Sequence, residues 1–274
     1  MTADAIRARL RTSEPLVVPG VWDPLSALIA ERAGFSTQFL SGFALAGTYL
    51  GVPDIGILDF PDVADAARRV CAAVPGVSVI VDADTGYGDD AAVAVTVRAW
   101  EEAGAAGLFL EDQVWPKRCG HMDGKEVVPA DEWLSKLRTA LATRTDLFVT
   151  ARTDARAVTG LADAIERARM ARDLGVDAVF VEAPQSIDEL ETIARALPDV
   201  ALVANMVEKG KTPLLSADEL GEIGFSLVLS PVSGLLAVSK ALENAYTTLA
   251  AEGTLRDHLG SLTGFTEFTG IVGR

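Results

Sequence analysis

Short apolar runs alternate with longer amphipathic runs along almost the whole chain, and this alternation constrains the fold most strongly. The segments between the apolar runs, such as DPLSALIAERAG and SIDELETIARAL, place apolar residues at i, i+3, i+4 and i+7, which is typical of helices. Apolar strands that alternate with helices predict parallel strands buried on both faces. The eight apolar runs are Leu16-Val21, Thr37-Gly42, Val77-Asp84, Gly107-Asp112, Leu147-Thr153, Ala178-Ala183, Ala201-Met206 and Leu227-Pro231.

Eight strand-and-helix units in a chain of 274 residues predict a single α/β domain, a (β/α)₈ barrel of the TIM type that spans residues 1–274. The alternative is a doubly wound open sheet, but the turn after the first strand, VPGVWDPLSA, lacks the G-x-G-x-x-G pattern common in such folds. Asp23-Pro24 has the pattern of a helix start, and Gly104 that of a helix end. A last long helix is expected over Gly234-Gly253, followed by the moderately apolar segment Thr254-Arg274.

The charge balance excludes several classes of partner. Lys and Arg total 24 against 39 Asp and Glu, which gives a formal net charge of −15. Such a field repels nucleic acid and anionic membranes. A small anionic substrate therefore needs a pocket with clustered cations or a metal. The first fifteen residues lack the apolar core of a signal peptide, and the chain contains no run of 18 apolar residues, so a cytoplasmic protein is expected.

Three carboxylates follow neighbouring strands of the predicted barrel. Asp82 and Asp84 are spaced so that both point to one side of a strand, and Glu111 ends the next strand. In a barrel, the carboxyl ends of the strands meet at one mouth, where the chemistry is found. Hard oxygen ligands of this kind suit Mg²⁺ or Mn²⁺. The alternative is that Asp82 and Asp84 cap turns; no His or Cys spacing supports zinc.

The segment KRCGH after the fourth strand groups reactive side chains. It contains Lys117, Arg118, Cys119 and His121. Neighbouring cations are expected to stabilise a thiolate at Cys119, which suits a nucleophile or a group that gives and retakes a proton. Cys71, in contrast, lies in an amphipathic helical pattern and is interpreted as a small core residue, because buried cysteines are common there.

Six separated motifs resemble the isocitrate lyase and phosphoenolpyruvate mutase superfamily. They are VVPGVWDPLSALIAERAGF, FLSGFALAGTYLGVPDIG, VDADTGYG, LEDQVWPKRCGH, VTARTDA and VANMVEKGKTP, and they occur in the family's order over most of the chain. The KRCGH segment resembles the lyase branch, which includes 2-methylisocitrate lyase and 2,3-dimethylmalate lyase. A carboxyphosphonoenolpyruvate mutase branch shares the pattern EDQ-x-x-PKRCGH.

The resemblance implies roles for individual residues. It implies that Asp82, Asp84 and Glu111 hold Mg²⁺ partly through waters, and that Cys119 is the catalytic acid on a mobile gating loop. Lys117, Arg118 and His121 would supply positive charge beside it. The other residues implied to bind substrate are Ser41, Gly42 and Arg152, at the carboxylate of an α-keto acid, together with Phe43, Asp54, Glu182, Asn205 and Ser233.

The activity implied is Mg²⁺-dependent cleavage of a 2-hydroxy di- or tricarboxylate into an α-keto acid and a carboxylic acid. Oxaloacetate hydrolysis or decarboxylation and a phosphonomutase reaction remain alternatives, as does a non-catalytic barrel that binds keto acids. Three departures from the family pattern, Phe39, Phe43 and Phe109, predict a smaller or more apolar pocket, and Phe39 leaves the general base unassigned. The resemblance also implies a homotetramer that exchanges its last barrel helix between subunits.

Overall fold

The computed structural model describes residues 2–12 and 14–273, and its strands close into a barrel. Each strand pairs in parallel with the next strand along the chain, and the last pairs with the first. The predicted (β/α)₈ barrel is therefore confirmed, and the open-sheet alternative is wrong. The strands are β1 (Leu16–Val21), β2 (Thr37–Leu40), β3 (Ser78–Asp82), β4 (Gly107–Glu111), β5 (Phe148–Thr153), β6 (Ala178–Val181), β7 (Ala201–Asn205) and β8 (Leu227–Ser230).

Helices cover the outer face of the barrel. Those up to β8 are α1 (Ala3–Arg9), α2 (Pro24–Arg32), α3 (Gly42–Leu45), α4 (Phe60–Ala73), α5 (Asp90–Ala103), α6 (Ala130–Thr143), α7 (Ala155–Val158), α8 (Leu161–Asp173), α9 (Ile187–Ala196) and α10 (Ala217–Ile223), and a π-helical turn spans Ala46–Leu50. Asp23 caps α2 as predicted, because its carboxylate accepts the Ser26 amide hydrogen at 2.7 Å. Gly104 ends α5 at φ 86°, a conformation that favours glycine.

Strand β2 is shorter than predicted, and the reason is a helix cap. The Ser41 side chain accepts a hydrogen bond from the Ala44 amide at 3.3 Å and starts α3 directly after the strand. Ser41 and Gly42 therefore belong to a helix start at the mouth of the barrel. The amide end of a helix can receive a carboxylate.

The inside of the barrel is a continuous apolar cluster. Its largest members are aromatic rings from β2, β4, β5 and β6, namely Phe39, Phe109, Phe148 and Phe180. Ala3 and Ile6 of α1 belong to the same cluster and are fully buried, so α1 closes the amino-terminal end of the barrel. Arg7 fixes this helix in place through Asp177, with 2.8 Å between Nε and Oδ1. The barrel is thus packed by α1 at this end.

A helical extension follows the barrel, as predicted. It consists of α11 (Ser233–Glu252), a 3₁₀ turn (Arg256–Ser261) and α12 (Phe265–Val272), and α12 contacts α2. Every residue of α11 is at least partly exposed. Phe265 at the start of α12 is 88% exposed. Within residues 2–12 and 14–273, no helix is both long and apolar enough to cross a membrane.

Candidate active site

A cavity of about 260 Å³ lies at the carboxyl ends of the strands, where the sequence places the chemistry. Its walls bring together residues from seven strand ends and from the loop after β4. The predicted site residues that line it are Ser41, Phe43, Asp54, Asp82, Cys119, His121, Arg152, Glu182 and Asn205. Such a concave site with a few convergent polar groups has the usual form of a small-molecule site.

The other predicted residues, apart from Arg118, lie around this cavity. Gly42 contacts the Asp82 carboxylate, since a Cβ at position 42 would lie 3.0 Å from Oδ2. Ser233 donates a hydrogen bond to Glu208, and Glu208 in turn lines the cavity. Asp84, Glu111 and Lys117 are buried behind the wall. Arg118 is exposed, so the structure does not place its guanidinium at the site.

Three phenylalanine rings form part of the apolar wall of the cavity. The rings of Phe39 and Phe109 have centroids 5.0 Å apart, and those of Phe109 and Phe180 are 5.8 Å apart. The guanidinium of Arg152 lies 5.5 Å from the centre of the Phe180 ring, within the range of a cation–π contact. The rings therefore support the arginine from below as well as narrowing the cavity.

The Arg152 guanidinium is surrounded by carboxylates. Its nitrogens lie 3.1 Å from Glu111 Oε2, 2.9 Å from Asp154 Oδ2 and 3.3 Å from Glu182 Oε2. These contacts fix the side chain in a single direction across the mouth of the barrel. An arginine held in this way is preorganised to receive a carboxylate.

The acid cluster contains a lysine from the loop after β4. Lys117 Nζ lies 2.8 Å from Asp84 Oδ1 and 2.7 Å from Asp54 Oδ1. Burial raises the pKa of Asp84 to about 7, and Lys117 offsets this only in part. Burial also raises the pKa of Glu111 well above its ordinary range, although Arg152 acts against it. The cluster therefore holds more acidic groups than the protein's own cations neutralise.

These residues fit a divalent cation by charge and donor type. In residues 2–12 and 14–273, no group of three or more His, Cys, Asp or Glu side chains is arranged to ligate a metal directly. Glu111 Oε1 is nevertheless buried and lacks a hydrogen-bond partner among the described residues. Mg²⁺ usually keeps several waters and takes only one or two protein carboxylates. The cluster is therefore suited to an ion held largely through waters.

The loop that carries Cys119 is anchored at its root by side-chain and backbone contacts. The Gln113 amide nitrogen donates to the Arg118 carbonyl at 2.8 Å, and its oxygen accepts from the Arg118 amide at 2.9 Å. The Cys119 amide donates to the Asp54 carbonyl at 3.1 Å. Gly120 lies so close to Glu182 that a Cβ there would be 2.4 Å from Oε2. The thiol is thereby placed against the cavity.

The environment of Cys119 differs from the one that the sequence predicts. Burial, helped by Asp54 and Glu182, raises the pKa of the thiol to about 11, although Arg152 lowers it slightly. The flanking cations do not stabilise a thiolate, because Lys117 is directed at Asp54 and Asp84 and Arg118 is exposed. The group at neutral pH is a thiol, which suits a proton donor and not a resting nucleophile.

His121 is held in one tautomer by its neighbours. Its Nδ1 accepts a hydrogen bond from the Lys211 backbone amide at 3.0 Å, so the ring proton is assigned to Nε2. Nε2 faces Glu182 Oε1 at 3.5 Å, and Asn205 also donates to this carboxylate at 3.3 Å. Burial lowers the pKa of His121, more than Glu182 raises it. The imidazole is therefore neutral at pH 7, contrary to the expected positive charge.

One ion pair at the site was not predicted from the sequence. Lys125 Nζ lies 2.8 Å from Asp154 Oδ1, and the side chains are 1% and 0% exposed. In the sequence Gly124-Lys125-Glu126 this lysine looks like an ordinary loop cation. Asp154 follows β5 beside Arg152, which offers a signal, but local sequence gives none for Lys125.

Comparisons with known proteins show that the similarity extends over the whole barrel. A family model described as phosphoenolpyruvate phosphomutase matches residues 6–250. The chloroplastic carboxyvinyl-carboxyphosphonate phosphorylmutase of Arabidopsis thaliana is 46% identical over 94% of this chain and 77% of that protein. The 2,3-dimethylmalate lyase of Eubacterium barkeri is 37% identical over 99% of this chain and 94% of that protein. A solved oxaloacetate acetylhydrolase with the inhibitor 3,3-difluorooxalacetate has a TM-score of 0.94 and 34% identity, over 99% of this chain and 93% of that chain.

Proposed function

The chain belongs to the phosphoenolpyruvate mutase and isocitrate lyase superfamily, and from this premise we propose that it is a Mg²⁺-dependent carbon–carbon lyase. The substrate is a 2-hydroxy di- or tricarboxylate, and the products are an α-keto acid and a carboxylic acid. The observation that carries the proposal is the position of the Cys119 thiol, which lines the same cavity as Ser41 and Arg152.

The binding half of the site receives the part of the substrate that becomes the α-keto acid. Arg152 offers a fixed guanidinium, and Ser41 stands at the start of α3 with the amide of Gly42 beside it. Asp82, Asp84 and Glu111 would hold Mg²⁺ or Mn²⁺ next to them. The ion, when bound, supplies positive charge that stabilises oxyanions of the substrate.

The reacting half of the site supplies a proton. Cleavage begins when the proton of the 2-hydroxyl group passes to a water molecule acting as base, and the bond between C2 and C3 then breaks with its electron pair left on C3. That carbon is adjacent to a carboxylate, so the charge spreads over the carboxylate oxygens. The S–H bond of Cys119 donates its proton to C3, which completes the carboxylic acid product and leaves a thiolate.

Glu182, His121 and Asn205 form the wall between these two halves. Glu182 accepts from Asn205 and pairs with Arg152, and the Nε2 proton of His121 is directed at the same carboxylate. This arrangement holds the neutral imidazole against the cavity beside the thiol loop. It orients the reacting groups without bringing a further cation to the cavity.

A screen of 2-hydroxy and 2-keto acids with Mg²⁺ tests the proposal. Lactate dehydrogenase coupled to the reaction detects pyruvate or glyoxylate as it forms. Turnover of at least one 2-hydroxy acid to a keto acid is expected. Binding of keto acids without any turnover would instead identify a non-catalytic barrel.

Hydrolysis of oxaloacetate is the second candidate, and the cavity favours it. The apolar rings of Phe39 and Phe109 on the cavity wall offer no polar partner to a third carboxylate, which suits a short dicarboxylate. Product analysis separates the candidates: hydrolysis yields oxalate and acetate, decarboxylation yields pyruvate and carbon dioxide, and a phosphonomutase forms a carbon–phosphorus bond.

The proposal includes a homotetramer in the cytoplasm that exchanges α11 between neighbouring subunits. The apolar side chains of the extension support burial against another copy, since Leu242, Tyr246 and Leu249 of α11 are 46%, 65% and 44% exposed. Light scattering at micromolar concentration is expected to give the mass of four chains. A stable and active monomer would rule out this assembly.

A further inference from the structure

The buried pair of Lys125 and Asp154 connects two parts of the cavity that are far apart in sequence. Lys125 Nζ donates to Asp154 Oδ1 at 2.8 Å and also to the Gly120 carbonyl. Asp154 accepts from Arg152 through both oxygens, at 2.9 Å from Nε and 3.2 Å from Nη2. A chain of charge-assisted hydrogen bonds therefore runs from the residue after Cys119 to the arginine of the binding half.

The Asp154 carboxylate is itself rigidly placed. Its backbone amide donates to Asp112 Oδ1 at 2.8 Å, and the Thr153 hydroxyl donates to the other oxygen of Asp112 at 2.6 Å. Arg167 lies 3.2 Å from the same carboxylate of Asp112. The end of β5 is thus fixed from two sides, so the movable partner in the pair is the loop lysine.

The position of the Gly120 carbonyl contributes to where the thiol lies. Gly120 packs directly against Glu182, and Cys119 precedes it. Among the described residues, Lys125 makes the only ion pair between this part of the loop and the end of β5. If Lys125 releases the carbonyl, that connection is lost. Lys117 attaches the loop to Asp54 on the other side. Hydrogen bonds that involve a charged donor in a buried place are stronger than neutral ones.

We propose that Lys125 is a positioning residue that holds the Cys119 loop closed over the cavity by joining the Gly120 carbonyl to Asp154, the carboxylate that orients Arg152. The proposal deepens the proposed function, on which it rests for the role of the thiol. The orientation of Arg152 and the position of the Cys119 loop are coupled, because Arg152 and Lys125 bind the same carboxylate of Asp154. When a substrate carboxylate binds to Arg152, the Cys119 thiol is already in position to donate its proton.

Reactivity of the Cys119 thiol tests this without any substrate or metal. The wild-type chain and the Lys125→Met variant are treated with iodoacetamide at pH 8, and mass spectrometry follows the peptide that contains Cys119. Methionine keeps the length of the side chain but removes the charge and the donors. Alkylation of Cys119 is expected to become roughly 10- to 100-fold faster, which corresponds to the loss of hydrogen bonds to a charged group.

Asp123→Asn is the matched control on the same loop. Asp123 pairs with Lys211, but its side chain is 95% exposed, so this pair contributes little to the loop's position. Alkylation in this variant is expected to stay within about twofold of the wild type. Circular dichroism and thermal unfolding show whether each variant retains its fold.

A folded Lys125→Met variant with a wild-type alkylation rate would overturn the proposal. Should that variant fail to fold, the double variant Lys125→Met/Asp154→Asn, which leaves no unpaired carboxylate at position 154, is labelled instead, and the same acceleration is expected. An unchanged rate in the double variant would equally contradict the proposal.

Steady-state kinetics give a second readout once a substrate is known. Lys125→Met is expected to lower kcat by about 10-fold or more. KM is expected to change little, because Ser41 and Arg152 still bind the substrate. A rise in KM alone would contradict the positioning role. If the wild-type chain turns over no 2-hydroxy or 2-keto acid, the proposed function fails, whereas the labelling result stands.

Discussion

Lys117 Nζ lies 2.8 Å from Asp84 Oδ1, so the loop that carries Cys119 places its own cation in the acid cluster at the end of β3. The lysine side chain is 3% exposed, and Asp54 holds it from the other side at 2.7 Å. The loop therefore contributes part of the positive charge that this cluster receives. Lys117 acts on carboxylates in this structure, and it does not face the thiol two residues away.

Replacement of Lys117 by Met tests this relationship through stability. Loss of the ammonium leaves Asp54 and Asp84 buried without their shared partner, and breaking such a buried pair costs about 3–5 kcal/mol. Urea unfolding in the presence of EDTA is expected to show a loss of that size. A loss below about 1 kcal/mol, the value typical of exposed pairs, would mean that the lysine is not bound as the structure shows.

Metal dependence is expected of turnover. Asp82, Asp84 and Glu111 bring more negative charge to the cavity than Lys117 and Arg152 balance, and a divalent cation relieves that excess. Excess EDTA should abolish keto-acid release, and added Mg²⁺ or Mn²⁺ should restore it. Pyruvate added to the EDTA assay confirms that the coupling enzyme still works. Full turnover in EDTA would contradict the prediction.

Substitution of Cys119 by Ser separates proton donation from pocket lining. A hydroxyl fills nearly the same space but is a far weaker acid, so turnover should fall by about 10²–10⁴-fold. Affinity for pyruvate or glyoxylate, measured by calorimetry, should survive because Ser41 and Arg152 do not depend on the sulfur. Near-native turnover would remove Cys119 from the mechanism. Loss of turnover together with affinity would make it a structural residue of the loop.

The pH dependence of thiol alkylation follows from the burial of Cys119. Burial raises the pKa of the thiol to about 11, whereas an ordinary thiol titrates near 9. The reactive thiolate should therefore keep increasing through pH 9 and level off only near 11. The raised pKa stabilises the fold fully below pH 9, and that contribution is lost as the pH rises through 11.

Mass spectrometry must distinguish the two cysteines in this measurement. Burial also raises the pKa of Cys71 to about 11, and that residue is 7% exposed in α4. A rate at the Cys119 peptide that levels off at pH 9 would show that the thiol is not buried as described.

Two phenylalanines at the cavity should respond differently to truncation. Phe43 is only partly buried, so Phe43→Ala should widen the cavity and shift kcat/KM towards 2-methylisocitrate relative to 2,3-dimethylmalate, by about 10-fold. Phe109 is 1% exposed between two other rings, so Phe109→Ala should cost about 3–5 kcal/mol of stability. An unchanged preference ratio for Phe43→Ala would mean that this ring does not limit the substrate.

The barrel was predictable because the sequence pattern that identifies each strand and helix lies within that element. Strand β1 has the predicted limits, and the helix cap at Asp23 is a short-range pattern. Residues at strand ends were also predictable as neighbours, since a parallel barrel brings all its carboxyl ends together. Arg152, Glu182 and Asn205 therefore meet in the cavity as expected.

Side-chain directions within the loop after β4 were not predictable. The sequence places Lys117, Arg118 and Cys119 side by side, but the structure buries the lysine against carboxylates and leaves the arginine in solvent. The pKa of the thiol follows from these directions and from its burial. Local sequence likewise gives no reason to bury Lys125, because its partner Asp154 follows a different strand.

Helix α1 lies at the amino-terminal end of the barrel, but it supports residues of the cavity at the opposite end. Its residues Ala3 and Ile6 are packed in the same apolar cluster as Phe109 and Phe180, the rings that form the cavity wall. Removal of residues 1–10 would expose the apolar interior of the barrel to solvent and let water reach the underside of those rings. Anyone who shortens or tags this enzyme for production should therefore leave its first helix intact.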